Sequence, residues 1–189
     1  HLVVNIITMI KLNSDQKVII LGCGSVGKCI LWYLDKLFKV KYSQVYVIDK
    51  DEMFGLKGKW NKIPDGAINE TGNYPIDYRV QQIKNCSFFI GLSSGLSWLA
   101  WALNKKVIMI SGCTAEDNEF KKNCYRVINN NVCNGCLNDS NIDNVKGIMS
   151  HWIYCPRDKD FECSKTISFE MVKEKIDQCI LELNDNSIK

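Results

Sequence analysis

The chain has 189 residues, of which 46% are apolar and 24% are charged, and its formal net charge is +3. This balance is that of a globular protein, and it excludes disordered, collagen-like and coiled-coil chains. The length predicts one compact unit. A charge this small, without a run of basic residues, argues against a protein that binds nucleic acid.

The first predicted elements form a βαβ unit. The run Lys17–Leu21 is apolar and β-branched, as in a strand that is buried on both faces. Residues 30–38 carry apolar side chains at helical spacing, and Val45–Ile48 predicts a second strand that ends at Asp49. The turn between the first strand and the helix contains three glycines at the spacing GxGxxG, Gly22, Gly24 and Gly27.

This context predicts a dinucleotide site. The glycines allow the backbone to approach a pyrophosphate at the helix N-terminus, and the carboxylate of Asp49 can accept hydrogen bonds from a ribose. A tight turn that binds no ligand is the alternative interpretation. If the site is functional, NAD is one candidate ligand.

A second strand–turn–helix–strand unit follows a loop of residues 53–73, whose length is typical of functional loops. Its predicted elements are a helix over Pro75–Asn85, a strand over Ser87–Ile90, a helix over Leu96–Leu103 and strands over Val107–Ile110 and Tyr125–Ile128. Strands that alternate with helices predict an α/β fold: a Rossmann-like parallel sheet with helices on both faces. We expect a nucleotide-binding domain over residues 1–128 and an extension over 129–189 that packs on it.

The turn of the second unit has the sequence GLSSGLS and predicts an anion site. Its candidate binding residues are Ser93, Ser94, Gly95 and Leu96. Small residues at the start of a helix leave backbone N–H groups free to face a negative charge. The alternative is structural: a serine as a plain N-cap, with Trp98 and Trp101 in the core.

The extension predicts a metal-binding loop and a C-terminal helix with Ser168 as its N-cap. Cys133, Cys136, Cys155 and Cys163 lie in a segment with few apolar residues, where four thiolates can hold tetrahedral iron or zinc in place of a core. Free thiols are the alternative. The other six cysteines are interpreted as small buried hydrophobes: Cys23, Cys29, Cys86, Cys113, Cys124 and Cys179.

Two resemblances extend this interpretation. Residues 15–52, with IILGCGSVGKCILWYLDKL and VYVIDKD, resemble the NAD-binding start of homospermidine synthase and saccharopine dehydrogenase-type enzymes. Residues 58–181 resemble the carboxy-terminal half of the bacterial autotransporter O-heptosyltransferases. The blocks that carry this second resemblance include FFIGLSSGLSWLAWALNKKVIMISG, YRVINNNVCNGCLND, WIYCPR and FECSKTIS.

The second resemblance implies a glycosyltransferase that moves a heptose from ADP-heptose onto serines of an autotransporter passenger protein, with inversion. It also implies a homo-oligomer and an iron site, which maps onto Cys133, Cys136, Cys155 and Cys163. In that family a separate acceptor-side domain supplies the general base, and we expect this domain to be missing here. The GCGSVG segment also replaces the family's phosphate-binding lysine loop, so the chain is interpreted as truncated or fused.

Three functional hypotheses follow. The first is an ADP-heptose-binding donor domain of a heptosyltransferase, and the second is an NAD-binding oxidoreductase fragment. The third is a catalytically silent module that binds metal or assists assembly. We expect a cytoplasmic protein without a membrane span, because the start shows no signal peptide and the uncharged stretch from Cys86 to Leu103 is broken by its serine–glycine turn.

Overall fold

A computed structural model describes residues 18–21, 45–48, 68–70, 72–137, 139, 141–142 and 155–186 of the chain. Within the described residues, parallel strands form one sheet. They are β1 (Val18–Leu21), β2 (Val45–Ile48), β3 (Ile68–Asn69), β4 (Phe88–Leu92), β5 (Lys106–Ile110) and β6 (Cys124–Val127). Their order across the sheet is β3-β2-β1-β4-β5-β6. The predicted parallel sheet is therefore confirmed.

The described α-helices are α1 (Ile76–Lys84), α2 (Gly95–Ala102), α3 (Glu162–Lys165) and α4 (Phe169–Asn186), with a short 3-10 helix at Glu116–Asn118. All of the α-helices except α3 lie within about three residues of their predicted positions. The hydroxyl of Ser168 accepts a hydrogen bond from the backbone N–H of Met171 at 3.4 Å, as expected of an N-cap. Three elements, β3, α3 and the 3-10 helix, were not predicted, because strands and helices this short contain too few residues to show a period.

Strands β4 and β5 are buried on both faces, which explains their continuous apolar runs. Side chains of α1 and α2 form a core with one face of the sheet, and this core consists of Ile83, Cys86, Phe89, Ala100, Val107, Met109 and Phe120. The alternating positions Phe88, Ile90 and Ile108 are also fully buried. Helix α4 packs on β5 and β6 through a buried stripe that includes Val172, Ile176 and Ile180.

The far end of α4 is attached to the sheet by a polar cluster. The ammonium group of Lys106 at the start of β5 donates to Glu182 at 2.6 Å and to the hydroxyl of Tyr125 at 2.8 Å. Burial and the hydrogen bond to Glu182 raise the pKa of Tyr125 to about 12.

Among the described helices, none is long and apolar enough to cross a membrane.

Candidate functional site

Strands β1 and β4 are neighbours, and this pairing positions the candidate site. They run parallel, with Val18 opposite Phe88 and Ile20 opposite Ile90. Their carboxyl ends therefore meet at one edge of the sheet, where the strand order reverses. Open α/β sheets bind ligands in the crevice at such a switch point. The predicted site residues Gly22, Gly24, Gly27 and Asp49 lie outside the described residues, so their contacts stay predictions.

The serine turn connects β4 to α2 at this edge. Ser94 occupies the N-cap position with an extended backbone (φ −151°, ψ 166°), but its side chain makes no capping hydrogen bond. Ser94 is therefore the N-cap by position, as the structural alternative expected, but its hydroxyl does not cap the helix. Ser94 and Gly95 are exposed, whereas Ser93 and Leu96 are half-buried. The first turn of α2 also contains no acidic residue, so the positive end of the helix faces open space without a nearby carboxylate of its own.

Two glycines of this segment have different roles. A Cβ atom at Gly95 would meet no heavy atom of the described residues within 4 Å, so among these residues the space above the helix N-terminus is open. A Cβ atom at Gly91 would lie 2.8 Å from Cε1 of Phe89 and 3.2 Å from the hydroxyl oxygen of Ser97. Gly91 is therefore required for packing, whereas the open space at Gly95 is available to a ligand.

The surface of α2 beside the turn is apolar. Trp98 and Trp101 are 41% and 36% exposed, so the alternative that places them in the core is wrong. Both rings pack on Phe120, with each centroid 5.1 Å from the phenyl centroid. They border an open cavity of about 750 Å³, which is lined by Ile76, Ser94, Gly95, Leu96, Trp98, Leu99, Trp101 and Ala102.

A buried ion pair holds the loop after β5. The side chain of Glu119 is 1% exposed and lies 2.7 Å from Nε of Arg126. Glu119 also accepts hydrogen bonds from Ser111 at 2.9 Å and from Thr114 at 2.5 Å. The sequence did not predict this network. Glu119 follows Asp117 in a polar stretch, and nothing in that stretch indicates that its side chain is buried. Its partner Arg126 lies on the next strand, β6, so the pair forms only when the chain folds.

The loop after β5 is also hydrogen-bonded to the segment that contains the first two predicted metal ligands, Cys133 and Cys136. Leu137 donates its backbone N–H to the carbonyl of Cys113 at 2.7 Å, and Gly135 donates to Gly112 at 2.9 Å. The left-handed backbone of Gly135 (φ +66°) forms the turn between Cys133 and Cys136. The loop after β5 therefore fixes the position of the Cys133–Cys136 turn.

Cys163, one of the second pair of predicted ligands, lies against the same loop. A Cβ atom at Gly112 would lie 3.2 Å from the carbonyl oxygen of Cys163, so α3 packs tightly there. Glu162 of α3 accepts a hydrogen bond from the backbone N–H of Cys133 at 3.2 Å. The described cysteines are all free thiols. The structure thus brings both halves of the predicted cysteine set to one place.

The thiols of these cysteines lie close enough to affect one another's pKa values. Burial raises the pKa of Cys136 to about 11, with further contributions from Cys113 and Cys163. Burial also acts on Cys155, but backbone N–H groups of Phe161, Lys159 and Arg157 outweigh it and lower the pKa of that thiol. Among the described residues, no three Cys, His, Asp or Glu side chains converge closely enough to hold a metal ion. Metal coordination by these cysteines therefore stays a prediction.

Cys113 lies near the predicted metal ligands, although it was not predicted to be one of them. It was interpreted as a small buried hydrophobe, yet it is half-buried and neighbours Cys136 and Cys163. No spacing signal pointed to it, because it lies twenty residues before Cys133 and reaches the cluster only through the fold.

No protein-family model matches the chain. The chain is 41% identical over 131 residues to the autotransporter heptosyltransferase BAHTCr of Citrobacter rodentium, which covers 66% of this chain and 31% of the relative. It is 37% identical over 152 residues to the autotransporter heptosyltransferase TibC of Escherichia coli, covering 77% and 36%. A third relative, BimC of Burkholderia thailandensis, is described as an inactive autotransporter heptosyltransferase and is 35% identical, covering 60% and 27%.

A solved structure of a heptosyltransferase is also similar to this chain. The dodecameric, iron-containing heptosyltransferase TibC in complex with ADP-D-β-D-heptose matches with a TM-score of 0.70 and 33% identity, over 91% of this chain and 46% of that chain. The chain thus spans about a third of the length of its curated relatives. These matches do not support the homospermidine synthase resemblance or the NAD-binding alternative. The relatives of this chain are autotransporter heptosyltransferases, which confirms the resemblance found in residues 58–181.

Proposed function

We propose that this chain is the donor-binding part of an autotransporter heptosyltransferase and that it binds ADP-heptose at the carboxyl edge of β1 and β4. The observation that carries this proposal is the open serine–glycine turn at the point where the strand order reverses. The comparison with TibC supports it, because that protein was solved with ADP-D-β-D-heptose.

In this proposal the backbone N–H groups at the start of α2 face the diphosphate of the donor. Charge develops on the diphosphate as its bond to the sugar breaks, and oriented donors at a helix N-terminus stabilise such charge. The turn residues Ser93, Ser94, Gly95 and Leu96 would hold the diphosphate. Gly22, Gly24 and Gly27 would complete the crevice from β1, and Asp49 would accept hydrogen bonds from the ribose.

The acceptor substrate and the general base are proposed for the complete enzyme, which is longer than this chain. We propose that the acceptor is a serine of an autotransporter passenger protein and that the residues bringing the base lie in an acceptor-side domain. TibC is dodecameric, and we propose a homo-oligomer here too. A cytoplasmic location is part of the proposal, because free or metal-bound thiols need a reducing compartment.

Calorimetric titration of the 189-residue chain tests the function. We expect binding of ADP-heptose and weaker binding of ADP, because ADP lacks the sugar, and no binding of NAD. Binding of NAD without a response to ADP-heptose would replace the proposal with the oxidoreductase alternative. The same sample should be assayed for heptose transfer to a passenger peptide.

A catalytically silent module is the second candidate, and the inactive relative BimC favours it. This candidate shares the donor fold but predicts no transfer under any condition. Transfer by the chain, alone or with the acceptor-side part of a relative added, would exclude it. Binding of ADP-heptose without transfer in the presence of that added part would favour it.

We further propose that Cys133, Cys136, Cys155 and Cys163 hold iron, with zinc as the alternative metal. The donor set fits, since four thiolates suit either ion. Backbone N–H groups around Cys155 favour its thiolate form, and the amide of Lys159 donates to its sulfur at 3.3 Å. When bound, the metal would cross-link the loop of residues 129–165 and so contribute folding free energy. In this proposal residues 129–189 are the metal-binding extension of the domain formed by residues 1–128.

Substitution of a predicted ligand tests the metal site. Cys136→Ser should lower the metal content, measured by elemental analysis of protein purified under reducing conditions, from about one equivalent to less than about half. Limited proteolysis should then cut residues 129–165 faster while the sheet stays folded. Cys86→Ser is the matched control, because Cys86 is equally buried but lies in the core between α1 and β4. Equal metal content in both variants would contradict the assignment.

A further inference from the structure

Ser97 is a buried polar residue directly beneath the serine turn. It is the third residue of α2 and has no exposed surface. Its hydroxyl donates a hydrogen bond of 2.5 Å to the backbone carbonyl of Leu92, the last residue of β4. This bond joins the first turn of the helix to the end of the strand, and only Ser93 and Ser94 lie between them.

The packing around Ser97 gives the bond a defined geometry. The side-chain oxygen lies 3.2 Å from the position that a Cβ atom at Gly91 would occupy, so a residue larger than glycine there would press on it. Backbone hydrogen bonds from Ser97 and Trp98 to the carbonyl of Ser94 close the other side of the turn. The turn is therefore held at both ends, while its outer surface is open at Gly95.

We propose that Ser97 is a positioning residue: its buried hydroxyl holds the Leu92 carbonyl and thereby keeps the backbone N–H groups of the Ser93–Leu96 turn directed at the donor diphosphate. The inference deepens the proposed function and rests on it. Oriented donors stabilise charge because they need no reorganisation when the charge appears. A turn that fluctuates must be ordered by the ligand, and that ordering reduces the affinity.

Ser97→Ala removes the side-chain hydroxyl, so the Leu92 carbonyl loses this hydrogen bond. Loss of one such hydrogen bond should weaken binding of ADP-heptose about fivefold and binding of ADP by the same factor, since both carry the diphosphate. Hydrogen–deuterium exchange of the amides at residues 93–96 should become faster in the unliganded variant. Ser97→Cys keeps the size and a weak donor, and it should restore part of the affinity and of the exchange protection.

Ser111→Ala is the matched control. Ser111 is also a buried serine at the end of a strand, but its hydrogen bonds go to Glu119 and Thr114 in the loop after β5. We expect a comparable loss of thermal stability with unchanged exchange at residues 93–96 and unchanged affinity for ADP-heptose. The same slow exchange in Ser97→Ala as in the unsubstituted chain would overturn the inference.

The two arms separate this inference from the proposed function. If the unsubstituted chain binds neither ADP-heptose nor ADP, the proposed function fails, and the exchange measurement still decides whether Ser97 holds the turn. If the unsubstituted chain binds and Ser97→Ala binds equally tightly, the proposed function stands and the positioning role is wrong.

Discussion

Gly95→Leu should abolish most of the donor binding while the fold stays intact. A side chain at the first position of a helix leans toward the N-terminus, and at Gly95 it would enter the space that the described part of the chain leaves open within 4 Å. Displacing such a side chain costs about 1–3 kcal/mol. The Kd for ADP-heptose, measured by calorimetry, should therefore rise about tenfold or more, since about 1.4 kcal/mol corresponds to a factor of ten.

Two other substitutions give this experiment its contrast. Ala102→Leu adds a similar bulk at the opposite end of α2; its side chain lines the same cavity but lies about 10 Å along the helix from Gly95, so the Kd should not change. Gly91→Ala should instead lower the melting temperature, because its Cβ atom would lie 2.8 Å from the ring of Phe89 in the core. An unchanged Kd in a folded Gly95→Leu variant would mean that the diphosphate does not bind at the start of α2.

Glu119→Ala should strongly destabilise the fold. It leaves Arg126, whose side chain is only 15% exposed, without its carboxylate, and it removes the acceptor of Ser111 and Thr114. Breaking a buried ion pair from one side costs about 3–5 kcal/mol. Chemical denaturation should show a fall of about this size in the free energy of unfolding.

The same substitution should also loosen the cysteine turn, because Gly112 and Cys113 of the loop after β5 accept hydrogen bonds from Gly135 and Leu137. Faster hydrogen–deuterium exchange at residues 133–137 is the expected sign. Lys165→Ala is the control: its partner Asp160 is 86% exposed, and loss of such a surface pair should change stability by less than about 1 kcal/mol. If both variants are equally stable, the network does not hold the loop.

Most strands of the sheet could be predicted from residue order alone because each is a short apolar run. Val18–Leu21, Phe88–Leu92 and Lys106–Ile110 need no knowledge of their neighbours to be recognised. The alternation with helices then implies parallel pairing. The amphipathic stripe of α4 and its N-cap at Ser168 are local patterns of the same kind. The strand β3 has only two residues and therefore carries no such pattern.

The candidate site divides in the same way. The GxGxxG and GLSSGLS turns and the four spaced cysteines are local motifs, so their chemistry could be inferred before their positions were known. Their arrangement depends on contacts between residues far apart in the chain. The pairing of β1 with β4, separated by 66 intervening residues from Leu21 to Phe88, brings together at one sheet edge the strand ends that precede the two predicted nucleotide-binding turns.

Local sequence thus identified the strands, the turns and the family, because periodicity and motif spacing are properties of consecutive residues. Burial of Glu119 against Arg126, the hydrogen bond from Ser97 to Leu92 and the approach of Cys113 to the cysteine set became visible only in three dimensions. A polar side chain is written identically whether it is solvated or buried, and its partner is set by how strands and loops pack together.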